Sequence, residues 1–293
     1  MPLNASDAFG NGKTVMYLKR RLFLSTALGL FCIAPNYATV TPVKAETITG
    51  VQVLESYHDK AANPACTAGP VSRWMAHYSN APRQLADPSD PTLSLFNYVL
   101  EEMHDAGLAS EYAMIPFIES SYFPHMTSRL GPTGLWQMVR GTAVNFKVPM
   151  KNGYDGRLSP VDSTRSVITY LKYLNKMFKG NEERVVMAYN AGEGRMKNFL
   201  RGQTKLSEIT HAYPKKINAL HCLIDRSMDK PSFKAAMNRK VPKLRVVRAE
   251  AGAGSLSSWS SAKGYDPVWI GKLNPALKSG SISGREVLVH DPK

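Results

Sequence analysis

Between Ser159 and Arg226 the apolar residues recur at the spacing of a helix. Val167, Leu171, Leu174 and Phe178 are three or four positions apart, so at about 3.6 residues per turn they form one buried stripe. Asp162 or Ser163 is placed to cap this helix and Gly180 to end it. The segment "EERVVMAYNAGEGRMKNFL" reads as a helix broken at Gly192 and Gly194 and restarted near Arg195. A further helix is expected from Pro214 to about Arg226. No strand signal competes over this stretch, which makes the main domain mostly α. Upstream, Asp90 and Pro91 open a helix whose buried face carries Leu93, Phe96, Leu100 and Met103 and which stops at Gly107. A short helix then runs from Ser110 to about Glu119. Gly131, Pro132 and Gly134 punctuate a turn before "LWQMVRGTAVNF" resumes helical spacing.

The two ends have a different texture. Lys19, Arg20 and Arg21 precede an apolar run from Leu22 to Ala34, and Val43-Lys44-Ala45 offers small residues at a cleavage spacing, so residues 1–45 read as an export signal, with Met16 as an alternative start. The run is shorter than the ~20 apolar residues of a membrane span, and an uncleaved anchor is the alternative reading. Residues 46–88, with Pro64, Pro70, Pro82 and Pro88, read as a lead-in wrapped over the surface of a domain at 89–228. Residues 229–242 read as a linker. Residues 243–293 form a small α+β unit of βααβ order: "LRVVRA", two short helices in "SLSSWSSAKG" and "DPVWIGKLNP", and "REVLVH".

Charge narrows the partners. Removing residues 1–45 leaves 32 Lys and Arg against 22 Asp and Glu, and residues 201–248 alone carry 12 basic and 3 acidic side chains, a surface that favours anions. That stretch lacks interleaved aromatics and a nucleic-acid reading motif, so nucleic acid is not expected. Export favours an acidic envelope polymer, and the alternative is a solvated face. Cys66 and Cys222 are the cysteines left after signal removal. In an oxidising compartment they are a candidate disulfide, the alternative being two buried thiols. The histidines and cysteines show no metal-ligand spacing, and neither metal nor cofactor is expected.

Glu119 stands alone as an acid in "IESSYFPHMTSRLGPTGLWQ", after the apolar segment Met114 to Ile118. A carboxyl lodged among apolar groups loses solvation of its charged form, its pKa rises, and it can donate a proton near neutral pH. The alternative is a helix-end acid paired with an arginine. A glycosidase that uses two carboxylates needs a second one facing the first at roughly 5 to 9.5 Å. Asp155, Asp162, Glu182, Glu183, Glu193 and Glu208 are available, but none has a comparable setting.

"IESSYFPHMTSRLGPTGLWQMVRGTA" together with "VVMAYNAGEGRM" resembles the soluble lytic transglycosylase family, in particular its membrane-bound murein transglycosylase D-like branch. The resemblance runs roughly from Thr92 to Ala219. It implies a lysozyme-like (goose-type) helical fold and cleavage of peptidoglycan glycan strands in the periplasm or cell envelope. By motif, Glu119 matches the acid/base, Ser128 a serine that hydrogen-bonds a substrate N-acetyl group, Gln137 a glutamine lining the cleft, and Tyr189 and Asn190 the pair facing the glutamate. Turn capping for Ser128, exposure for Gln137 and core packing for Tyr189 are the plain alternatives. Tyr122, Trp136 and Tyr189 are candidates to stack on sugars, or core anchors.

There are two departures from the family pattern. Pro132 replaces an alanine in the turn. "LSEITHAYPKKINAL" is similar to the family's Leu-Pro-x-Glu-Thr-x-x-Tyr-Val segment, but Ile209 holds the place of a second cleft glutamate, with Glu208 adjacent and expected to substitute after a local shift. The C-terminal unit resembles a degenerate LysM module, a glycan-binding fold, with Leu273 to Pro275 as its best feature. A structural cap is the alternative.

Overall fold

A computed structural model describes residues 46–62, 65–67, 69 and 72–290; the expected export signal lies outside them. In chain order the elements are β1 (Thr47–Thr49), α1 (Gly50–Asp59), α2 (Arg73–His77), α3 (Ala81–Ala86), α4 (Thr92–Asp105), α5 (Ile115–Ser120), α6 (Arg140–Asn145) and α7 (Pro160–Met177). They continue with α8 (Glu182–Ala191), α9 (Glu193–Leu200), α10 (Glu208–Met228), α11 (Pro231–Met237), β2 (Lys240–Pro242), β3 (Leu244–Arg248), α12 (Leu256–Ala262), α13 (Pro267–Leu273) and β4 (Glu286–His290). The protein is mostly helical, as the spacing of apolar residues requires.

α4 is the axis. Its residues Thr92 to Leu100 are buried on every side, which marks a helix enclosed by others. Asp90 fixes its start by accepting from the backbone N–H and the hydroxyl of Thr92, at 2.8 and 2.6 Å. α7 begins at Pro160 rather than after Asp162, because Pro160 suits the first helical turn and the Ser159 hydroxyl accepts from the Asp162 N–H at 3.1 Å.

α10 also starts earlier than expected, at Glu208. The Ser207 hydroxyl accepts from the Thr210 N–H at 3.2 Å, and the helix passes through Pro214, which removes the N–H that would otherwise bond the Thr210 carbonyl. This extension carries the residues that complete the candidate site.

The lead-in and the linker are both more ordered than their proline content suggests. α1 is closed by a capping box between Thr49 and Gln52, and it sinks Val53, Leu54 and Tyr57 into the core. The segment read as a linker holds α11 and β2, and β2 pairs antiparallel with β1, Ile48 opposite Val241. Short strands escape a reading by periodicity, because three residues barely define an alternation.

β3 and β4 pair antiparallel, Val246 opposite Leu288, with α12 and α13 between them in sequence. Trp259, Tyr265, Ile270, Val287 and Val289 form a local core there, whereas Leu244, Leu273 and Leu288 belong to the main one. Buried Asn274 closes the corner: its amide donates to the carbonyls of Ile270 and Leu288, and its carbonyl accepts from the Leu288 N–H. Cys66 and Cys222 are joined in a disulfide, Cα atoms 4.9 Å apart, which fastens the lead-in to α10. Among the described residues no helix is long and apolar enough to cross a membrane.

Candidate active site

α5 is one and a half turns long and ends sharply. Ser121 and Tyr122 both adopt left-handed conformations, φ 51° and 61°, which non-glycine residues take only when their surroundings impose it. Three side chains do so. The fully buried Tyr122 hydroxyl donates to the Ala113 carbonyl at 2.7 Å, the Gln84 amide donates to the Ser121 carbonyl at 2.9 Å, and the Ser120 hydroxyl reaches the carbonyls of Pro116 and Leu135. Glu119 is thereby held at the last turn of a helix that cannot unwind.

The loop beyond it is equally constrained. Thr133 bridges to both Thr127 and Met138, and the Gly134 N–H donates to the Met126 carbonyl at 2.7 Å. Gly134 has φ 84°, and a Cβ there would lie 1.7 Å from the Arg157 carbonyl oxygen, so no other residue fits. The Arg157 guanidinium, buried and paired with Asp155, donates to the carbonyls of Gly131 and Met138. Trp136 is wholly buried with its indole N–H on the Thr164 hydroxyl. Trp136 and Tyr122 are therefore core anchors, inaccessible to a sugar.

Glu119 faces α10. The Tyr213 hydroxyl donates to Glu119 Oε1 at 2.5 Å. Lys216, three residues on and hence on the same face of α10, sits with its ammonium 5.8 Å from the Tyr213 ring and 4.9 Å from that of Trp74. Burial pushes the Glu119 carboxyl above its ordinary pKa, against the opposing pull of the Tyr213 hydrogen bond and the Lys216 charge. The carboxylate in turn adds to burial in raising Tyr189, Tyr213 and Tyr78, the last to about 12. Among the described residues no second carboxylate perturbs Glu119. The arrangement suits a single group that gives up a proton and takes one back.

The other residues singled out from the sequence are distributed as follows. Tyr189 is beside Glu119, half-buried, and its hydroxyl donates to the Trp136 carbonyl at 2.8 Å. Gln137 is half-buried with φ 45°, its amide donating to the carbonyls of Gly134 and Met126. Ser128 is exposed at the loop tip, where its hydroxyl accepts from the Leu130 N–H at 3.4 Å, the contact of a turn cap. Asn190 is exposed and accepts from the Thr210 hydroxyl at 2.8 Å, tying α8 to the start of α10.

Glu208 does not fill the place beside Ile209. It is exposed on the first turn of α10, five positions before Tyr213 and therefore about 140° around the helix from it. Ile209, 61% exposed, shares the Tyr213 face instead. The helix is continuous from Glu208 onward, so the shift that would bring Glu208 round does not occur.

Residues 100–211 match the family described as Transglycosylase SLT domain. This part of the chain is similar to that family. Its relatives include the putative tributyltin chloride resistance protein of Alteromonas sp. (strain M-1), 37% identical over 34% of this chain and 48% of that one. The membrane-bound lytic murein transglycosylase D of Escherichia coli (strain K12) is 30% identical over 44% of this chain and 31% of its own length. The soluble lytic murein transglycosylase of Salmonella typhimurium is 34% identical over 32% of this chain and 15% of that one. The chain thus spans less than half the length of these relatives.

The matched stretch includes Glu119, Ser128, Gln137, Tyr189, Asn190 and Glu208, but stops two residues short of Tyr213. Sequence pattern alone does not single out Tyr213, Lys216 or Tyr78. A signal for Tyr213 existed, since it holds the tyrosine place of the Leu-Pro-x-Glu-Thr-x-x-Tyr-Val segment, and Lys216 follows from helical spacing once α10 is continued back to Glu208. Nothing in the sequence pointed to Tyr78 or Trp74.

Proposed function

We propose that the chain is a peptidoglycan lytic transglycosylase that cleaves the β-1,4 bond between N-acetylmuramic acid and N-acetylglucosamine in the periplasm or cell envelope. The observation that carries this reading is the solitary, partly buried Glu119, hydrogen-bonded by Tyr213 within an SLT domain. Protonated Glu119 donates to the glycosidic oxygen as positive charge develops on the muramyl sugar. Assistance from the substrate's own N-acetyl oxygen removes the need for a second carboxylate. Ionised Glu119, still bonded by Tyr213, then takes the proton of the muramyl 6-hydroxyl, whose oxygen closes a 1,6-anhydro ring.

Gln137 and Tyr189 brace the loop and cleft in which the sugar binds, and Ser128 at the loop tip is placed to meet an N-acetyl group only if substrate draws it from its turn. In residues 243–293 the βααβ order supports a LysM-like glycan-binding unit, while the three leucines sunk in the main core support a structural cap. The two roles are compatible.

Ile209 favours a rival, a non-catalytic peptidoglycan-binding protein of the same fold, since an apolar side chain stands where the family carries a glutamate. Mass analysis of the soluble products from purified murein decides. Anhydro-muropeptides from the native chain and none from Glu119→Gln are the expected result. Products heavier by one water would indicate a hydrolase, and equal release by the Gln variant would exclude Glu119 as the acid.

A further inference from the structure

Two cations flank one tryptophan at the edge of the candidate site. The Arg73 guanidinium is 4.5 Å and the Lys216 ammonium 4.9 Å from the centre of the Trp74 ring. Among the described residues no ion pair engages either of them. Arg73 is exposed, Lys216 and Trp74 are half-buried, and Lys216 also lies against the ring of Tyr213, the residue that holds Glu119. Stacking on an aromatic face satisfies the π side of a guanidinium and leaves its N–H edge free for a carboxylate. It also fixes the two charges before a ligand arrives, which lowers the ordering cost of binding. All three residues lie outside the matched SLT domain.

We infer that Arg73 and Lys216, stacked on Trp74, form a carboxylate-binding corner that recognises the acidic group of the muramyl unit next to the bond at Glu119. The inference rests on the proposed function. In that substrate a carboxylate has two sources: the lactyl group, free where the peptide stem has been removed, and the stem itself. Either would meet the same two donors. Occupation of the corner has a second consequence. Lys216 is the cation that opposes the rise of the Glu119 pKa, so an anion set against it leaves Glu119 more fully protonated when substrate is in place.

The test uses the full chain carrying Glu119→Gln, which holds glycan uncleaved. Its affinity is measured by calorimetry for soluble strands in three forms: stem-bearing, stripped to the free lactyl carboxylate, and with all carboxylates capped as amides. The expected result is binding of at least one carboxylate form about three- to tenfold tighter than the capped form, a gap that narrows in about 0.5 M salt. Adding Arg73→Gln and Lys216→Met brings the carboxylate forms down to the capped value and leaves capped binding where it was. A gap seen with stripped strands names the lactyl group, and a gap confined to stem-bearing strands names the peptide. Equal binding of all three forms, or a gap that survives both substitutions, overturns the inference and leaves the proposed function standing. Binding of none overturns both.

Discussion

At the scale of single residues, Glu119 is a group whose chemistry opposes its stability. Its carboxyl has a higher pKa folded than unfolded because burial penalises the charge. Such a group favours the folded state below its unfolded pKa, and the advantage disappears as pH rises through the folded value. Glu119→Gln should therefore match the native protein in melting temperature at about pH 3 and exceed it at about pH 8. Thermal melts at the two pH values check this, and a Gln variant less stable at the higher pH would mean that the ionised carboxylate is well accommodated. Tyr213→Phe acts on the same group through its hydrogen bond. Its hydroxyl favours the ionised carboxylate, so its loss raises the Glu119 pKa further, and the alkaline limb of kcat/KM, where the acid is no longer protonated, should move to higher pH. The lost positioning should also lower kcat roughly tenfold, read from the rate of murein solubilisation.

At the scale of elements, the site depends on where α5 stops, how the loop after it folds, and where α10 begins, and these were unequally legible. The glycines at 131 and 134 announced the turn, and the isolation of Glu119 was plain from composition. The strain at Ser121 and Tyr122 was not, because left-handed φ values in serine and tyrosine are imposed by tertiary contacts with Gln84, Leu135 and Ala113 rather than by local preference. Proline commonly opens a helix, which predicts a start for α10 at Pro214. The Ser207 cap outweighed that preference, and the helical turns added ahead of Pro214 bring in Tyr213 and turn Glu208 away from it. Gly134 tests how far the loop's geometry matters. Gly134→Ala must relieve both φ 84° and a near-overlap with the Arg157 carbonyl, so it should cost about 3 kcal/mol or more in denaturant unfolding. The Arg157 bonds to Gly131 and Met138 would be displaced with it, and murein release should fall in parallel.

At the scale of the whole molecule, the site is assembled from distant parts of the chain. Glu119 comes from the end of α5, Tyr213 and Lys216 from α10, and Arg73 and Trp74 from a lead-in that, by sequence, seemed only to wrap the surface. The lead-in reaches the site because Cys66 is bonded to Cys222, two and a half turns along α10 from Tyr213. The link joins positions 156 residues apart, and closing a loop of that length restricts the unfolded chain enough to contribute roughly 3 to 5 kcal/mol. Replacing both cysteines by alanine should accordingly lower the melting temperature by about 10 °C. The functional consequence is more specific than the loss of stability. With the tether gone, α2 is held to α10 by packing and by the Arg226 contact with the Met75 sulfur, so Trp74 samples positions away from Lys216 and the cation pair loses its platform. Glu119 and Tyr213 do not depend on that link, since α5 is fixed by Ser120, Tyr122 and Gln84. Steady-state assays well below the lowered melting temperature should therefore show KM raised severalfold for carboxylate-bearing strands with kcat nearly unchanged. A fall in kcat at constant KM would place the effect of the disulfide on the acid itself and not on the corner that receives the substrate.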